Sequence, residues 1–343
     1  PACAESLGAS WEYDVQIVQS FLTNTDCLII DHYGLDYRWH RAMRGHVDKI
    51  VAIDDWADRK HDCDLLLDQT FDRDIDGYQG LVPENAQLLL GSNYALLRPE
   101  FLANRAGSLE RRMKHKSIQR ILVYLGGIQS SNGIGTILDG LGMVAFEDLP
   151  EIDIVLNTQS SFIEEIRKRV GELPFEVNIH THVSDMASFM FQADLAIGAG
   201  GSTSWERCCL GLPSLICEVA DNQKYVISNL VATGAVISLG DIDKLLPAIV
   251  KNAVIPFIGD SSKLQAMVES SSSVCDGLGA PRVAQRVCEL VDTTHLPMIL
   301  RPATIDDALV MFNWQTDVSV RRFARNPTVP VWDEHVAWLS SKL

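Results

Sequence analysis

The chain has 343 residues, 47% hydrophobic and 22% charged, the balance of a folded globular protein long enough for two domains and an appendage. Its net charge of −16 argues against a sequence-independent nucleic-acid surface or an anionic-membrane surface, but not against a small phosphate ligand held by local dipoles. No run of about 18 apolar residues occurs, so no membrane span is expected, and eight cysteines without a C-x-x-C pair read as reduced, buried thiols of a cytoplasmic protein rather than zinc ligands or a disulfide frame.

The chain opens at Pro1, with no Met and no signal peptide, and a helix-like segment over 11–22 precedes the first clear strand at 27–31. A doubly wound domain ordinarily opens on a strand, and the pattern breaks off at Leu343 without a cap. Both ends are therefore expected to lie inside a longer polypeptide. Further short apolar runs at 49–53, 65–67 and 87–90 predict strands, with a helix over 36–44. That alternation indicates a parallel sheet covered on both faces. A short helix is expected within 93–104, and the polar, basic stretch 105–116 reads as an interdomain connection.

The second region, 117–292, predicts strands at 121–125, 152–156, 175–179, 195–197, 214–217 and 235–237. Helices are expected between them at 132–141, 162–170, 185–192, 204–210 and 222–233, with a last one over 281–291. The fold class is thus α/β, with two Rossmann-like domains (1–104 and 117–292) and a cleft between them. From about Pro297 the character changes: residues 298–308 read as a strand, then Thr304 as a helix N-cap with Asp306 and Asp307 in the first turn.

Residues 193–206 carry the densest signal. A buried-strand pattern meets Gly198, Gly200 and Gly201, and then Ser202, Thr203 and Ser204 open a helix. Glycines admit close backbone approach, and a helix N-terminus offers donors to an anion. Glu206, about one turn in, could accept from two vicinal hydroxyls such as those of a ribose. The spacing is neither G-x-G-x-x-G nor a P-loop, and a plain strand-to-helix turn with a Ser or Thr cap is the alternative. Gly126 and Gly127 end another strand at the region's first βα turn, on the side that faces a ligand crevice, or form a bare turn. At the end of the first strand, Tyr33 is either a sugar or phosphate contact or a packed aromatic, and His32 an acid–base or a structural group. Asp54 and Asp55, followed by Arg59 and His61, could do acid–base work, but a helix cap and solvated carboxylates are the preferred reading. Asn222 is either an N-cap or reaches into the cleft.

Taken together, Ile30-Asp-His-Tyr-Gly34, Ile53-Asp-Asp-Trp-Ala-Asp58, Cys63-Asp-Leu-Leu-Leu-Asp68, Tyr78-Gln-Gly-Leu-Val-Pro83, Gly91-Ser-Asn-Tyr-Ala-Leu-Leu-Arg-Pro-Glu-Phe101, Leu125-Gly-Gly127 and residues 198–206 resemble, in that order, one family. It is the UDP-2,4-diacetamido-2,4,6-trideoxy-β-L-altropyranose hydrolase family of pseudaminic acid biosynthesis, which has the two-domain GT-B fold. The resemblance covers roughly residues 10–290. It implies cleavage of the anomeric C–O bond of a UDP-sugar by water, with inversion and loss of UDP, and no metal or other cofactor. It implies that residues 200–204 hold the diphosphate, that Glu206 binds the ribose, and that Gly126 and Gly127 belong to the UDP site. The segment 182–186, with Val183 and Met186, resembles the uracil-contacting loop, and Tyr33 and Asn222 match positions at the sugar and catalytic centre. The family's G-x-G-H-x-x-R loop, whose His is the implied base, does not occur in these residues. The chain alone is therefore expected to be a poor or inactive hydrolase, with an active longer parent.

Leu300-Arg-Pro-Ala-Thr-Ile-Asp-Asp-Ala308, Trp314, Arg321-Arg-Phe323 and Trp332-Asp-Glu-His-Val-Ala-Trp338 resemble the opening of a GNAT-type N-acetyltransferase, over 297–343. The acetyl-CoA-binding loop of those enzymes comes later, so these residues alone are not expected to bind acetyl-CoA. Two other functions compete with the hydrolase: a GT-B glycosyltransferase with a UDP-sugar donor, and a non-catalytic UDP-sugar binding module. Neither composition nor motif predicts an oligomeric state.

Overall fold

A computed structural model describes residues 8–23, 25–115, 117–126, 131–156, 163–181, 183–291, 301–316, 321 and 328–342. It divides into two compact units, Pro1–Thr293 and Thr294–Leu343.

The first unit opens with α1 (Trp11–Gln19), capped by Ser10, then β1 (Thr25–Ile30), α2 (Tyr37–Met43), β2 (Val47–Ile53), β3 (Leu65–Asp68) and β4 (Gln87–Leu90). These strands form one parallel sheet in the order β1-β2-β3-β4. All four residues of β3 are buried, as a strand between two covered faces requires. At the edge, β1 keeps an exposed Ile29.

Next come α3 (Pro99–Lys114), β5 (Arg120–Tyr124), α4 (Ser131–Gly142), β6 (Glu151–Val155), α5 (Ile163–Val170), β7 (Val177–His180) and α6 (Met186–Gln192). They are followed by β8 (Leu195–Ala199), α7 (Thr203–Cys209), β9 (Ser214–Glu218), α8 (Gln223–Ala232) and β10 (Val236–Asp241). Three helices close the unit: α9 (Pro247–Val254), α10 (Ser261–Val274) and α11 (Gly279–Val291). The second sheet is parallel throughout, ordered β10-β9-β8-β5-β6-β7.

Residues 105–114, read from sequence as part of a polar connection, are the last ten residues of a sixteen-residue helix. Two of their basic side chains are spent inside the fold. Arg112 is buried and donates to the carbonyls of Met190 (2.6 Å), Ala193 (2.6 Å) and Leu210 (3.0 Å). Arg105 donates to those of Cys209 (2.5 Å), Ser272 (2.8 Å) and Cys275 (2.9 Å). These are the carbonyls left over at the C-terminal ends of α6, α7 and α10, where a cation is the natural partner. Burial lowers the Arg112 guanidinium to about 9, which leaves it charged at neutral pH.

α9 and α10 are additions to the sequence reading. Pro247 starts α9 at the position where a missing N–H costs nothing, and Asp260 caps α10. The serine run 270–273 lies inside α10, where Ser271, Ser272 and Ser273 return their hydroxyls to the carbonyls of Val268, Glu269 and Ser270. α11 crosses back to the first sheet, with Val283, Val287 and Leu290 packed on Val51, Leu65, Leu67 and Leu89. A Cβ on Gly279 would meet the Ala95 carbonyl oxygen at 2.2 Å, so this return needs a glycine.

The second unit contains α12 (Ala308–Thr316) and α13 (Trp332–Ser340) among its described residues. Thr304, expected as an N-cap, forms a capping box with Asp307 ahead of α12. Of the expected strand, residues 298–300 lie outside the described residues, and 301–304 are not in a strand.

Among the described residues every cysteine is a free thiol, with Cys63, Cys208, Cys209, Cys217 and Cys275 buried. No helix among them is long and apolar enough to cross a membrane.

Candidate functional site

In the second sheet β5 lies between β8 and β6, so the chain leaves its two sides in opposite directions there. The crevice outside the C-terminal ends of β5 and β8 is where such sheets hold ligands. Tyr124 pairs with Gly198 across these strands, which places Gly126 and Gly200 each two residues beyond one registered pair. Gly126 has φ +72° and open space around it. Gly127 lies outside the described residues.

The glycines of the β8–α7 turn are needed first by the protein itself. A Cβ on Gly198 would lie 2.7 Å from Arg207 Nη1 and 2.9 Å from the Tyr124 carbonyl oxygen. On Gly200 it would lie 2.6 Å from the Ile227 side chain of α8. Gly201 is different, since its nearest neighbour would be Gln223 Nε2 at 3.7 Å. Ser202 occupies the N-cap position in a helical conformation, exposed, with no side-chain cap bond. The N–H groups of Gly201, Ser202 and Thr203 have no acceptor among the described residues, whereas Ser204 N–H closes the turn on the Gly201 carbonyl at 2.9 Å. The Thr203 and Ser204 hydroxyls accept from Arg207 at 3.0 and 3.1 Å.

Glu206 follows on α7. Burial raises its carboxyl above the usual value, against the pull of Arg98 and Arg207. Arg98 enters from the residue before α3 and donates to the Ser184 carbonyl at 3.0 Å. The segment that holds Val183 and Met186 is thereby tied to the same crevice: both pack in one cluster with Tyr124 and Trp205. His182 lies outside the described residues. Asn222 is exposed at the N-cap of α8 and makes no side-chain cap bond, so the capping role left open by the sequence is not taken.

The first sheet contributes its own C-terminal edge. Tyr33, after β1, sits 6.0 Å from the Trp56 ring, with the Arg59 guanidinium 5.5 Å from its centroid. Burial, then a hydrogen bond to Asp55, pushes its phenol well above the usual value. His32 takes a structural part, accepting the Gly34 N–H on Nδ1 at 3.0 Å.

Asp54 corrects the sequence reading of a solvated pair capping a helix. No helix follows β2 here, and Asp54 is buried. It accepts from Ala57 N–H (2.9 Å) and Tyr78 Oη (3.0 Å) and pairs with Arg59 at 2.8 Å, with His61 at 3.8 Å. Burial alone would raise its carboxyl, but His61, Arg59 and the Ala57 N–H hold it far below the usual range. Asp55 is the opposite case, raised chiefly by burial, with Asp54 and Asp68 adding to it. Tyr78 Oη also reaches Asp68 at 2.8 Å, and Asp68 is held by Arg73 Nε at 2.5 Å.

Arg73 joins the two walls. Its Nη2 donates to the Asp55 carbonyl at 2.5 Å, and its guanidinium lies 5.2 Å from the Tyr225 ring centroid of α8. Tyr225 Oη donates to the Asp72 carbonyl at 2.8 Å, and Asn229 to that of Phe71 at 3.3 Å. A continuous set of contacts therefore runs from Tyr33 through Asp55 and Arg73 to the first turn of α8, where Asn222 stands. Sequence reasoning missed Arg73, Tyr78, Asp68, Arg98 and Arg207, although Asp68, Tyr78 and Arg98 lie inside the motifs that carried the resemblance. Among the described residues no group of three or more His, Cys, Asp and Glu side chains could hold a metal ion.

No family model matches the chain. It is 30% identical over 171 residues to the spore coat polysaccharide biosynthesis protein SpsG of Bacillus subtilis, covering 48% of this chain and 47% of that protein. It is 24% identical over 180 residues to the UDP-2,4-diacetamido-2,4,6-trideoxy-beta-L-altropyranose hydrolase of Campylobacter jejuni, covering 52% of this chain and 60% of the hydrolase. The chain thus spans about half the length of the curated relatives it matches. The crystal structure of Acinetobacter baumannii MurG superimposes with a TM-score of 0.59 at 11% identity, over 82% of this chain and 77% of that one. The fold is therefore α/β, with two parallel sheets arranged as in the Rossmann-like GT-B proteins.

Proposed function

We propose that the unit Pro1–Thr293 binds a UDP-sugar and belongs to an enzyme that hydrolyses its anomeric C–O bond. The observation that carries this is the convergence of the predicted residues on one crevice. Gly126, residues 200–206, Val183 and Met186 gather at the ends of β5 and β8, and Tyr33 is linked by contact to the α8 turn that bears Asn222. The similarity to the Campylobacter hydrolase over half the chain supports the same reading.

In this reading the free N–H groups of residues 201–203 and the Thr203 hydroxyl take the diphosphate, with Gly126 beside it. Glu206 accepts from the ribose hydroxyls, and Val183 and Met186 flank the uracil. Tyr33 stays protonated at neutral pH, so it orients the sugar by hydrogen bonding and does not act as a base. Asn222 faces the sugar from the other wall. Water attacks the anomeric carbon, the C–O bond breaks with inversion, and UDP leaves with its charge held at the turn. A diacetamido-trideoxy sugar is the proposed substrate, through the resemblance. For Thr294–Leu343, the start of an acetyltransferase rests on its motif alone.

Calorimetric titration with UDP, followed by UDP release from the sugar nucleotide with and without an acceptor, tests this. UDP binding with acceptor-independent release supports the hydrolase. Acceptor-dependent release selects a glycosyltransferase, and binding without any turnover in the longer parent selects a binding module. No binding of UDP at all refutes the site.

A further inference from the structure

Two half-exposed aromatic rings stand together at the C-terminal edge of the first sheet. β1 and β2 pair in parallel, with Ile30 opposite Ala52, so Tyr33 and Trp56 follow one registered pair by three and four residues. Tyr33 is 41% exposed and Trp56 40%. Their centroids lie 6.0 Å apart at an interplanar angle of 70°, an edge-to-face contact that leaves an apolar corner between the rings. Single apolar side chains scattered on a surface are ordinary, but two rings held at a fixed angle beside a crevice form a patch of stated shape.

The loop that carries Trp56 is held at a cost. Ala57 has φ +52°, a left-handed conformation that a residue with a Cβ avoids. Such a conformation persists where the surroundings fix it. Buried Asp54 does so: Oδ2 accepts the Ala57 N–H at 2.9 Å, and Oδ1 pairs with Arg59 at 2.8 Å. The charges beside the corner are already committed. Arg59, 5.5 Å from the Tyr33 centroid, is shared between Asp54 and Asp58, the latter at 3.1 Å. Arg73 is shared between Asp68 and the Asp55 carbonyl. Asp55 and the Trp56 indole N–H both engage the Tyr33 hydroxyl, so the polar end of the phenol is occupied as well. What this corner still offers a ligand is aromatic surface.

We propose that Trp56 and Tyr33 form a subsite for a methyl group of the sugar, and that Trp56 is the specificity-determining residue of this subsite. This rests on the UDP-sugar reading above and deepens it, because it names the chemistry recognised at the sugar end. The contacts from Tyr33 through Asp55 and Arg73 to Tyr225 put the corner on the same crevice as the α8 turn. A sugar can present a methyl group on an acetamido substituent or on a 6-deoxy carbon, and both offer the corner the same apolar cap. The assignment differs from a merely structural role in one respect. A Trp56 that only held the Tyr33 hydroxyl through its N–H would act on all sugars alike, whereas a methyl subsite separates two sugars that differ by one methyl.

The test measures affinities for the full wild-type chain, Trp56→Ala and Trp56→Phe. The ligands are UDP and two pairs that each differ by one methyl: UDP-6-deoxyglucose with UDP-xylose, and UDP-N-acetylglucosamine with UDP-N-formylglucosamine. In the wild type the methyl-bearing member of at least one pair should bind about 4-fold tighter, the gain from burying one such group. The pair that shows the gain identifies the source, the C6 methyl or the acetamido methyl. Trp56→Ala should bring that ratio to within about 1.5-fold of unity and leave UDP affinity within about twofold. Trp56→Phe keeps an apolar ring without the N–H and should retain a ratio of about twofold or more. A ratio that survives in Trp56→Ala, an equal loss for UDP and every sugar nucleotide, or a Trp56→Phe ratio as low as that of Trp56→Ala overturns the proposal. If Trp56→Ala does not fold, the wild-type and Trp56→Phe ratios still decide. Failure of the wild type to bind UDP removes the functional reading itself, and this inference with it. Normal UDP binding with no methyl preference in either pair removes this inference alone.

Discussion

Tyr78→Phe isolates the network behind Tyr33. Tyr78 is 1% exposed, on a 3₁₀ turn at Ile75–Tyr78, and its hydroxyl stands between Asp54 Oδ2 at 3.0 Å and Asp68 Oδ2 at 2.8 Å. One proton serves two carboxylates, so the substitution deletes one full charge-assisted bond and the weaker share of a second. A bond to a charged acceptor contributes about 1.5–3 kcal/mol. The remaining partners limit the damage: Asp54 keeps Ala57 N–H and Arg59, and Asp68 keeps Thr70 N–H and Arg73. Phe is also cheaper to bury than Tyr. The net expectation is a loss of about 2–3 kcal/mol, read as a fall in the urea midpoint at unchanged slope. Because Asp54 holds Arg59, and Arg59 lies over Tyr33, the Kd for the sugar nucleotide should rise while UDP affinity stays within about twofold. A stability loss below about 0.5 kcal/mol would show that the phenol bridges nothing of consequence. Equal weakening of UDP would show that the two walls are not separable.

Gly200→Ala should destabilise by about 1–3 kcal/mol through the clash with Ile227, whereas Gly201→Ala should change stability by less than about 0.5 kcal/mol; thermal melts of the pair check the distinction. Glu206→Gln should lower the preference for UDP over its 2′-deoxy analogue by about 10-fold in competition titrations, since a neutral amide accepts the ribose hydroxyls less strongly. His40 is buried, and burial, with His61 beside it, holds its pKa at about 3, below an unfolded value of about 6.5. Its neutral form is the folded one, so its contribution is complete above pH 6.5 and is lost as pH falls toward 3, by at most about 1.4 kcal/mol per pH unit. Asp54 adds to acid sensitivity only lower, below its unfolded value of about 3.9, because its carboxyl is depressed in the fold. Urea titrations at pH 7, 5.5 and 4.5 should show the slope, and His40→Gln should flatten it.

The strands were legible because each is a short apolar run that needs cover on both faces, as in β3, β8 and β9. Their C-terminal ends then located the crevice without any distance in hand, since parallel sheets present those ends to ligands. What stayed hidden was the use made of charge. Residues 105–116 read as an interdomain connection because the stretch is polar and basic, yet Arg105 and Arg112 close the carbonyl ends of three helices that are remote in the sequence. Asp54 read as a cap because its partner Tyr78 lies 24 positions away, across a strand and a turn. Gly198 and Gly200 announced a ligand, but their first use is to admit Arg207 and Ile227. Local pattern thus pointed to a candidate crevice, and only tertiary pairing showed which of its groups are already spent.

That distinction assigns the walls of the crevice different work. On the first sheet the charges are largely spent on one another: Asp54 on Arg59 and Tyr78, Asp68 on Arg73 and Tyr78, Arg73 on the Asp55 carbonyl. Such a network fixes geometry and has little left for an anion. On the second sheet the turn after β8 leaves the N–H groups of residues 201–203 without an acceptor among the described residues. A ligand with a diphosphate at one end and a neutral sugar at the other meets each wall with the matching end. In the proposed reading, orientation falls to Tyr33 and charge to the N–H groups of residues 201–203. The Arg73–Tyr225 contact then matters because it fixes α8, and with it Asn222, against the rigid wall.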